Sequence, residues 1–369
     1  MDVIQRNFFR LLRSGTFGDN TQVEPMSAWK WRRIYQVSLI HGVTALVADG
    51  IRHHSGDFFM QLPPDLAASW NKTVAGIEVD NRNCNISVSE LFARLGGLHL
   101  RPILLKGQGL ASLYPNPLHR TCGDIDFYFP FAAQGRKADD WARANGTEAC
   151  VGDKGIWQYS WHGTMVEHHH RAQKLTNPLL NRRLQGIINS EIRCCDSAFA
   201  IVNGTKVEVV PPTLNLLLIM LRIARYVISE GICLKQIIDL GMFLRNMGGK
   251  VDYVKLQGWI TRLGMERMAR LEWALLVHLF NFNDAEIPFV EHARDEDLGQ
   301  IKADIFRLAG SHSADWYFTQ GKNIFVHNTN SGAMVWYIRH STRYFKYYPK
   351  ETATSFVSSF IHSLSHIEE

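Results

Sequence analysis

Apolar residues recur at three- and four-residue spacing from Trp29 to His53 and again from Pro64 to Leu98, the period of an amphipathic helix. Ile34, Val37, Leu39, Ile40, Val43, Leu46 and Val47 form one such face, wide enough to be buried. Pro63-Pro64-Asp65 separates the two segments and suits a helix start, where proline's missing N–H costs nothing. From about residue 100 the pattern shortens. The runs Pro102–Leu105, Ile125–Phe129 and Thr164–His168 are bounded by Gly, Pro and Asn and predict strands. Gln108–Tyr114 and Ala132–Ala144 between them have helical composition, and Trp157–His170 reads as a hairpin. After Pro211-Pro212 helical periodicity returns over Thr213–Ile228, Leu234–Met247, Tyr253–Leu263, Met265–Phe280 and about 292–309, 332–347 and 351–365. Gly248-Gly249, Asn281-Phe282-Asn283 and the Ser-rich stretch at 311–313 supply the breaks.

This order predicts an α+β protein: a small mixed sheet with flanking helices, preceded by N-terminal helices and followed by a C-terminal helical region. The expected segments are 1–100, 101–210 and 211–369, in keeping with a length of 369 residues. With 46% hydrophobic and 20% charged residues the chain can bury a core and is neither disordered nor fibrous. A net charge of +5 is compatible with an anionic ligand without requiring nucleic acid. The six cysteines show no C-x-x-C, which argues against a disulfide scaffold or zinc ribbon and for a reducing, cytoplasmic location. Met1–Arg13 lacks the uninterrupted apolar stretch of a signal peptide. The most apolar run, Leu214–Ile223, is about half a membrane span and reads as a buried helix rather than a transmembrane segment.

The chemistry-bearing stretch is Pro102-Ile-Leu-Leu-Lys106-Gly107-Gln108-Gly109, then Tyr114-Pro115, then Arg120-Thr-Cys-Gly123-Asp124-Ile-Asp126-Phe127. Residues i and i+2 of a strand share a face, so Asp124 and Asp126 project together. Two carboxylates held close repel unless a cation or proton neutralises them. Hard oxygen ligands of this kind, completed by substrate phosphates, suit Mg²⁺ (or Mn²⁺). Glu167, in Met165-Val-Glu167-His168-His169-His170, offers a third acid; alternation puts Met165, Glu167 and His169 on one face and Val166, His168 and His170 on the other. Such a cluster can hold cations that stabilise an in-line displacement at phosphorus. Lys106, and backbone N–H groups at Gly107, would meet the phosphates.

The run L-L-K-G-x-x-L-A-x-L-Y-P, then R-x-x-G-D-I-D-F, then E-x-H resembles the uncharacterised bacterial nucleotidyltransferase family, a branch of the DNA polymerase β-like superfamily. The resemblance covers roughly residues 30–245. It implies a nucleotidyltransferase-like fold, Asp124, Asp126 and Glu167 as metal-binding and catalytic residues, and Lys106, Gly107, Gln108 and Arg120 as nucleotide-binding ones; His169, from its place beside Glu167, is expected to orient a carboxylate or to join the nucleotide-binding residues by contacting phosphate. Lys106 and Gly107 stand where relatives carry a Gly-Ser phosphate loop, and Arg120 precedes the Asp pair as in that family. Two departures are visible: Gln108 where many relatives place Ser, and Glu167 where Asp is commoner.

Other clusters have blander readings. His162, His168, His169 and His170 lack a cysteine at ligand spacing, and only His168 and His170 could share a metal, so structural zinc is disfavoured. Arg222, Arg225 and Lys235 read as triphosphate contacts or as charges at a helix rim; Asp239 matches an acid of the resembled family. Trp336–Tyr348 interleaves aromatics with bases, a pattern that grips single-stranded nucleic acid. It equally describes an amphipathic helix packed by its aromatics, which is the stronger reading; a membrane-surface role is weaker still.

The expected reaction is Mg²⁺-dependent transfer of a nucleoside monophosphate from an NTP, ATP among the candidates, to an acceptor with release of pyrophosphate. The acceptor classes left open are a sugar phosphate, a protein side chain and an RNA end. Two rivals remain: a non-catalytic nucleotide-binding or interaction protein on the same fold, and a metal-dependent phosphohydrolase that uses the histidines.

Overall fold

The computed structural model describes residues 1–58, 60–152, 156–229, 231–283, 286–287, 295–307 and 339–365. These divide into two units. The first comprises Met1–His170 and Ser197–Val210 with residues 306–307; the second comprises Arg171–Asp196, Pro211–Ile305 and the described residues from 339 onward. Residues 171–196, grouped with the α/β core by the sequence pattern, thus cluster with the C-terminal helices.

The first unit opens with α1 (Val3–Phe17), α2 (Ala28–Ile40), α3 (Thr44–His53) and the 34-residue α4 (Pro64–Gly97). Helix α1 starts at a capping box in which the Asp2 carboxylate accepts from the Gln5 N–H while the Gln5 side chain accepts from the Asp2 N–H, and it ends at Gly18 in the left-handed region. The single helix expected over 29–53 is broken at His41-Gly42-Val43, where Gly42 adopts φ 63°. The break turns α3 back against α1. At that crossing Gly15 and Gly50 touch the facing backbones: a Cβ on Gly15 would lie 1.9 Å from the Leu46 carbonyl oxygen, and one on Gly50 1.9 Å from that of Leu11. Helix α4 begins at Pro64 with Asp65 in its first turn, as its sequence suggests.

Seven strands follow: β1 (Ile103–Leu104), β2 (Asp124–Tyr128), β3 (Thr147–Val151), β4 (Trp157–Trp161), β5 (Thr164–His169), β6 (Ala198–Val202) and β7 (Thr205–Val209). Three helices interrupt them, the short α5 (Gln108–Ala111), α6 (Ala132–Asn145) and, between β5 and β6, α7 (Pro178–Cys194) of the second unit. The sheet order is β3-β4-β5-β2-β1-β7-β6. It is mixed: β2 pairs with β5 and β1 with β7 in parallel, and the remaining neighbours are antiparallel. Hairpin β4–β5 turns at His162-Gly163 and β6–β7 at Asn203-Gly204, with positive φ at both residues of each turn.

Alternation along β2 decides which face does what. Ile125 and Phe127 are fully buried in a cluster with Cys84, Val88, Leu91 and Leu95 of α4, Ala138 and Ala142 of α6, and Tyr159 and Val166. Burying each large apolar side chain there contributes about 1.5–3 kcal/mol. Asp124 and Asp126 face the other way. His168 and His170, on the core side, both bond one carboxylate of α6: His168 Nδ1 to Asp139 Oδ1 at 3.1 Å and His170 Nε2 to Asp139 Oδ2 at 2.8 Å, with Tyr159 Oη 3.2 Å from His168 Nε2. That network ties α6 to the sheet.

The second unit is helical: α7 (Pro178–Cys194), α8 (Pro212–Ser229), α9 (Leu234–Met247), α10 (Tyr253–Leu263), α11 (Glu266–Phe280), α12 (Asp295–Arg307) as far as Ile305, and α13 (Pro349–Ser365). Helix α8 is 18 residues, longer than its apolar run alone indicates, and by length and composition could cross a membrane; 72% of it is buried in the structure. Of the aromatic-basic run, residues 336–338 lie outside the described residues. Tyr344, Tyr347 and Tyr348 are buried, Tyr344 donates to Asp304 Oδ2 at 2.9 Å, and Arg343 pairs with the same carboxylate at 2.6 Å. These tyrosines pack inward and offer no face for base stacking. Glu351 of α13 accepts from the N–H groups of Thr176 and Asn177 just before α7.

The Gly50 contact generates a test. A Gly50→Ala variant forces α1 and α3 apart and costs about 1–3 kcal/mol, lowering the melting midpoint by about 2–10 °C. Gly76→Ala on α4, whose Cβ meets nothing within 4 Å, should leave it unchanged or raise it. Thermal denaturation of both variants checks the contrast.

Candidate active site

The site is built on the parallel pair β2–β5, whose register sets Asp124 beside Met165 and Asp126 beside Glu167. Glu167 in turn faces Gln158 of β4. Three adjacent strands therefore present a row of polar side chains on the face opposite the α4–α6 core. Asp126, at 1% exposure, is the most enclosed of them; Asp124, Glu167 and His169 are half-buried.

Lys106 and His169 both meet the acids. Lys106 Nζ donates to Asp124 Oδ2 at 3.0 Å and lies 3.1 Å from Asp126 Oδ2. His169 Nε2 donates to Asp126 Oδ1 at 2.8 Å and lies 3.2 Å from Glu167 Oε2. Glu167 Oε1 accepts from Gln158 Nε2 at 2.7 Å. One ligand atom each from Asp126, Glu167 and His169 lie within 4.8 Å of one another.

The electrostatics follow from burial and these partners. Burial opposes ionisation of Asp126, but Lys106 and His169 outweigh it and hold its carboxyl well below the usual carboxylate range. Burial, reinforced by the Asp126 charge, pushes the Asp124 carboxyl up, with Lys106 acting against the shift. Burial alone would lower His169; its hydrogen bonds to the Asp126 and Glu167 carboxylates overcome it and raise the imidazole to about 9, so it is a cation at neutral pH.

The turn from β1 into α5 carries Lys106. Gly107 there adopts φ 63° and ψ −121°, a conformation that only glycine takes readily. Arg120, buried, donates from Nη1 to the Gly107 carbonyl oxygen at 3.3 Å and to Cys122 Sγ at 2.8 Å. The segment before the Asp pair is anchored as well: Asn81 Nδ2 of α4 donates to the carbonyls of Leu118 and Arg120. Beside it, buried His119 lies 2.6 Å from Asp49 Oδ2 and 3.0 Å from Glu78 Oε1.

The structure thus brings Lys106, Asp124, Asp126, Glu167 and His169 together. It corrects the expectation for one other. Gln108 is buried, and its Nε2 donates to the Asn81 carbonyl at 3.1 Å and to Asn85 Oδ1 at 2.6 Å, so its side chain pins α5 to α4 instead of facing a phosphate. Arg120 supports the Gly107 turn from within. Gln158 was not singled out by the sequence; its signal was the antiparallel alternation Trp157-Gln158-Tyr159, which puts it on the face of Glu167. Arg222 and Arg225 lie on α8, and Lys235 and Asp239 on α9, all in the second unit.

Residues 27–281 match the family described as an uncharacterised nucleotidyltransferase. The chain belongs to that family. No curated protein sequence matches it. Among solved structures, an antigenic nucleotidyltransferase-like protein from Paracoccidioides brasiliensis is similar at 16% identity and a TM-score of 0.35, over 53% of this chain and 91% of that one. A likeness that low carries no argument about this site. For this nucleotidyltransferase-family chain the deciding features are its own acids and their counter-charges.

The raised His169 imidazole gives a pH dependence with a defined sign. A group whose pKa is higher folded than unfolded stabilises fully below its unfolded value, 6.5, and ceases to do so as pH rises through about 9. In chelator-treated protein, denaturant titrations at steps from pH 6.5 to 9.5 should show stability falling by on the order of 1–3 kcal/mol. His169→Gln should flatten that slope; a slope retained in full would show that other groups cause it.

Proposed function

We propose that this chain is a metal-dependent nucleotidyltransferase that moves a nucleoside monophosphate from an NTP to an acceptor hydroxyl or phosphate. The acceptor oxygen bonds the α-phosphorus, the bond from that phosphorus to the bridging oxygen breaks, and pyrophosphate leaves. The observation that carries the reading is the β2–β5 register, which aligns Asp126 with Glu167 two residues after Asp124, in a member of a nucleotidyltransferase family.

The residues fit a divalent cation. Carboxylate oxygens suit Mg²⁺ or Mn²⁺, and Asp126 Oδ2 is a buried acceptor that receives no hydrogen bond. Asp124, Asp126 and Glu167 would hold the ion, with His169 Nε2 inside the same cluster. Such an ion supplies charge stabilisation for the phosphoryl oxygens and the leaving pyrophosphate. Lys106 provides a point charge for the phosphates. Gly107 fixes the turn that carries it, and Arg120 holds that turn by its carbonyl. Gln158 and His169 orient Glu167, the carboxylate available to take the proton of an acceptor hydroxyl.

A non-catalytic nucleotide-binding protein is the second reading, favoured by one observation: at the position of the expected phosphate-loop hydroxyl, Gln108 turns its side chain into α4. Calorimetric titration of each NTP with Mg²⁺ and then Mn²⁺ tests both readings. Micromolar, metal-dependent binding, about −8 kcal/mol, should appear in the wild type and vanish in Asp126→Asn. Binding without pyrophosphate release on any acceptor class would favour the second reading, and no binding to any NTP by folded protein would refute both.

A further inference from the structure

We propose that Lys106 is an exchangeable counter-cation: it neutralises Asp124 and Asp126 in the free protein and transfers to the polyphosphate of the incoming nucleotide, so that divalent cation and NTP assist each other's binding. The proposal rests on the nucleotidyltransferase reading above and adds the order of charges within it.

The geometry separates what is fixed from what can move. Asp126 sits in the middle of β2 at 1% exposure, its Oδ1 held by His169. Its Oδ2, and that of Asp124, converge on one ammonium at 3.1 and 3.0 Å. A divalent ion binds carboxylate oxygens at about 2.0–2.6 Å, so an ion on those two atoms and an ammonium touching both would crowd like charges into one place. One of them must leave, and the carboxylates are fixed in the strand.

Lys106 is the movable partner. Its side chain is 30% exposed, it is carried on a four-carbon stem with freely rotating donors, and it follows β1 directly at the turn. Leaving the acids for solvent would cost it two close oxygens without replacement. A triphosphate supplies replacement oxygens, which makes exchange favourable only when nucleotide is present. Cation and nucleotide affinities are then linked reciprocally: whatever Lys106 subtracts from metal binding in the free protein, the nucleotide restores.

Removing the ammonium should therefore have opposite effects on the two ligands. Mn²⁺ alone is titrated into the full-length wild type, Lys106→Met, Lys106→Gln and Asp126→Asn, with free Mn²⁺ followed by its paramagnetic resonance signal and folding checked by thermal denaturation. A non-hydrolysable NTP analogue is then titrated at saturating Mn²⁺. Lys106→Met should bind Mn²⁺ alone about tenfold tighter than wild type and the analogue about tenfold more weakly; Asp126→Asn should lose Mn²⁺. Lys106→Gln, which keeps a hydrogen-bond donor without the charge, should repeat the first result and covers the case in which the Met variant fails to fold. If both folded Lys106 variants bind Mn²⁺ no tighter than wild type while Asp126→Asn still abolishes binding, the exchange is refuted and the metal reading stands. If Mn²⁺ binds Asp126→Asn as it binds wild type, or binds no variant at all, the metal reading falls as well.

Discussion

Three carboxylates on one face of a sheet repel one another, and the arrangement around them follows from how that repulsion is offset. Asp124, Asp126 and Glu167 are held close by main-chain pairing that leaves their side chains no alternative. Lys106 and His169 compensate, each bridging two acids. The balance differs along the row: enclosed Asp126 is held ionised by both cations, whereas Asp124 is pushed toward its neutral form by burial and by its neighbour's charge. Carboxylates with opposite tendencies a few ångströms apart make a site ready to accept further positive charge.

Keeping such a cluster in place needs rigid support, and the same strands provide it from their other face. Ile125 and Phe127 lock β2 against α4 and α6 while the alternate positions, Asp124 and Asp126, carry the acids. The turn that brings in Lys106 depends on a glycine conformation at Gly107 and on Arg120, whose buried charge is directed at that turn's carbonyl. Gln108, which looks like a ligand contact in the linear chain, is here part of the mounting. The paired histidines His168 and His170 play a similar part on the core side, where one Asp139 carboxylate engages both.

Much of the fold was legible. Helices α9 and α10 match their periodic segments end to end, and β2, β5 and the β4–β5 hairpin fall within a residue or two of the alternating runs. The β6–β7 hairpin was missed although Asn203-Gly204 between two alternating segments is a strong turn signal. Within the expected N-terminal helical segment, the start of α1 is marked by the Asp2/Gln5 capping box rather than by apolar periodicity. Gln158 escaped because an uncharged residue between two aromatics announces nothing until a neighbouring strand is known.

By itself the sequence determined the local terms: which segments have helical or strand period, that Asp124 and Asp126 share a face, that Glu167 and His169 share another, and that a lysine followed by glycine ends a strand before them. Those follow from repeat geometry along one element. Only the tertiary structure decided that β2 pairs in parallel with β5 in the register that aligns Asp126 with Glu167, that Lys106 reaches both Asp124 and Asp126, and that Gln108 turns inward while Gln158 faces Glu167. Strand register and side-chain partnership are fixed by packing between elements far apart in the chain, and no spacing within a single segment encodes them.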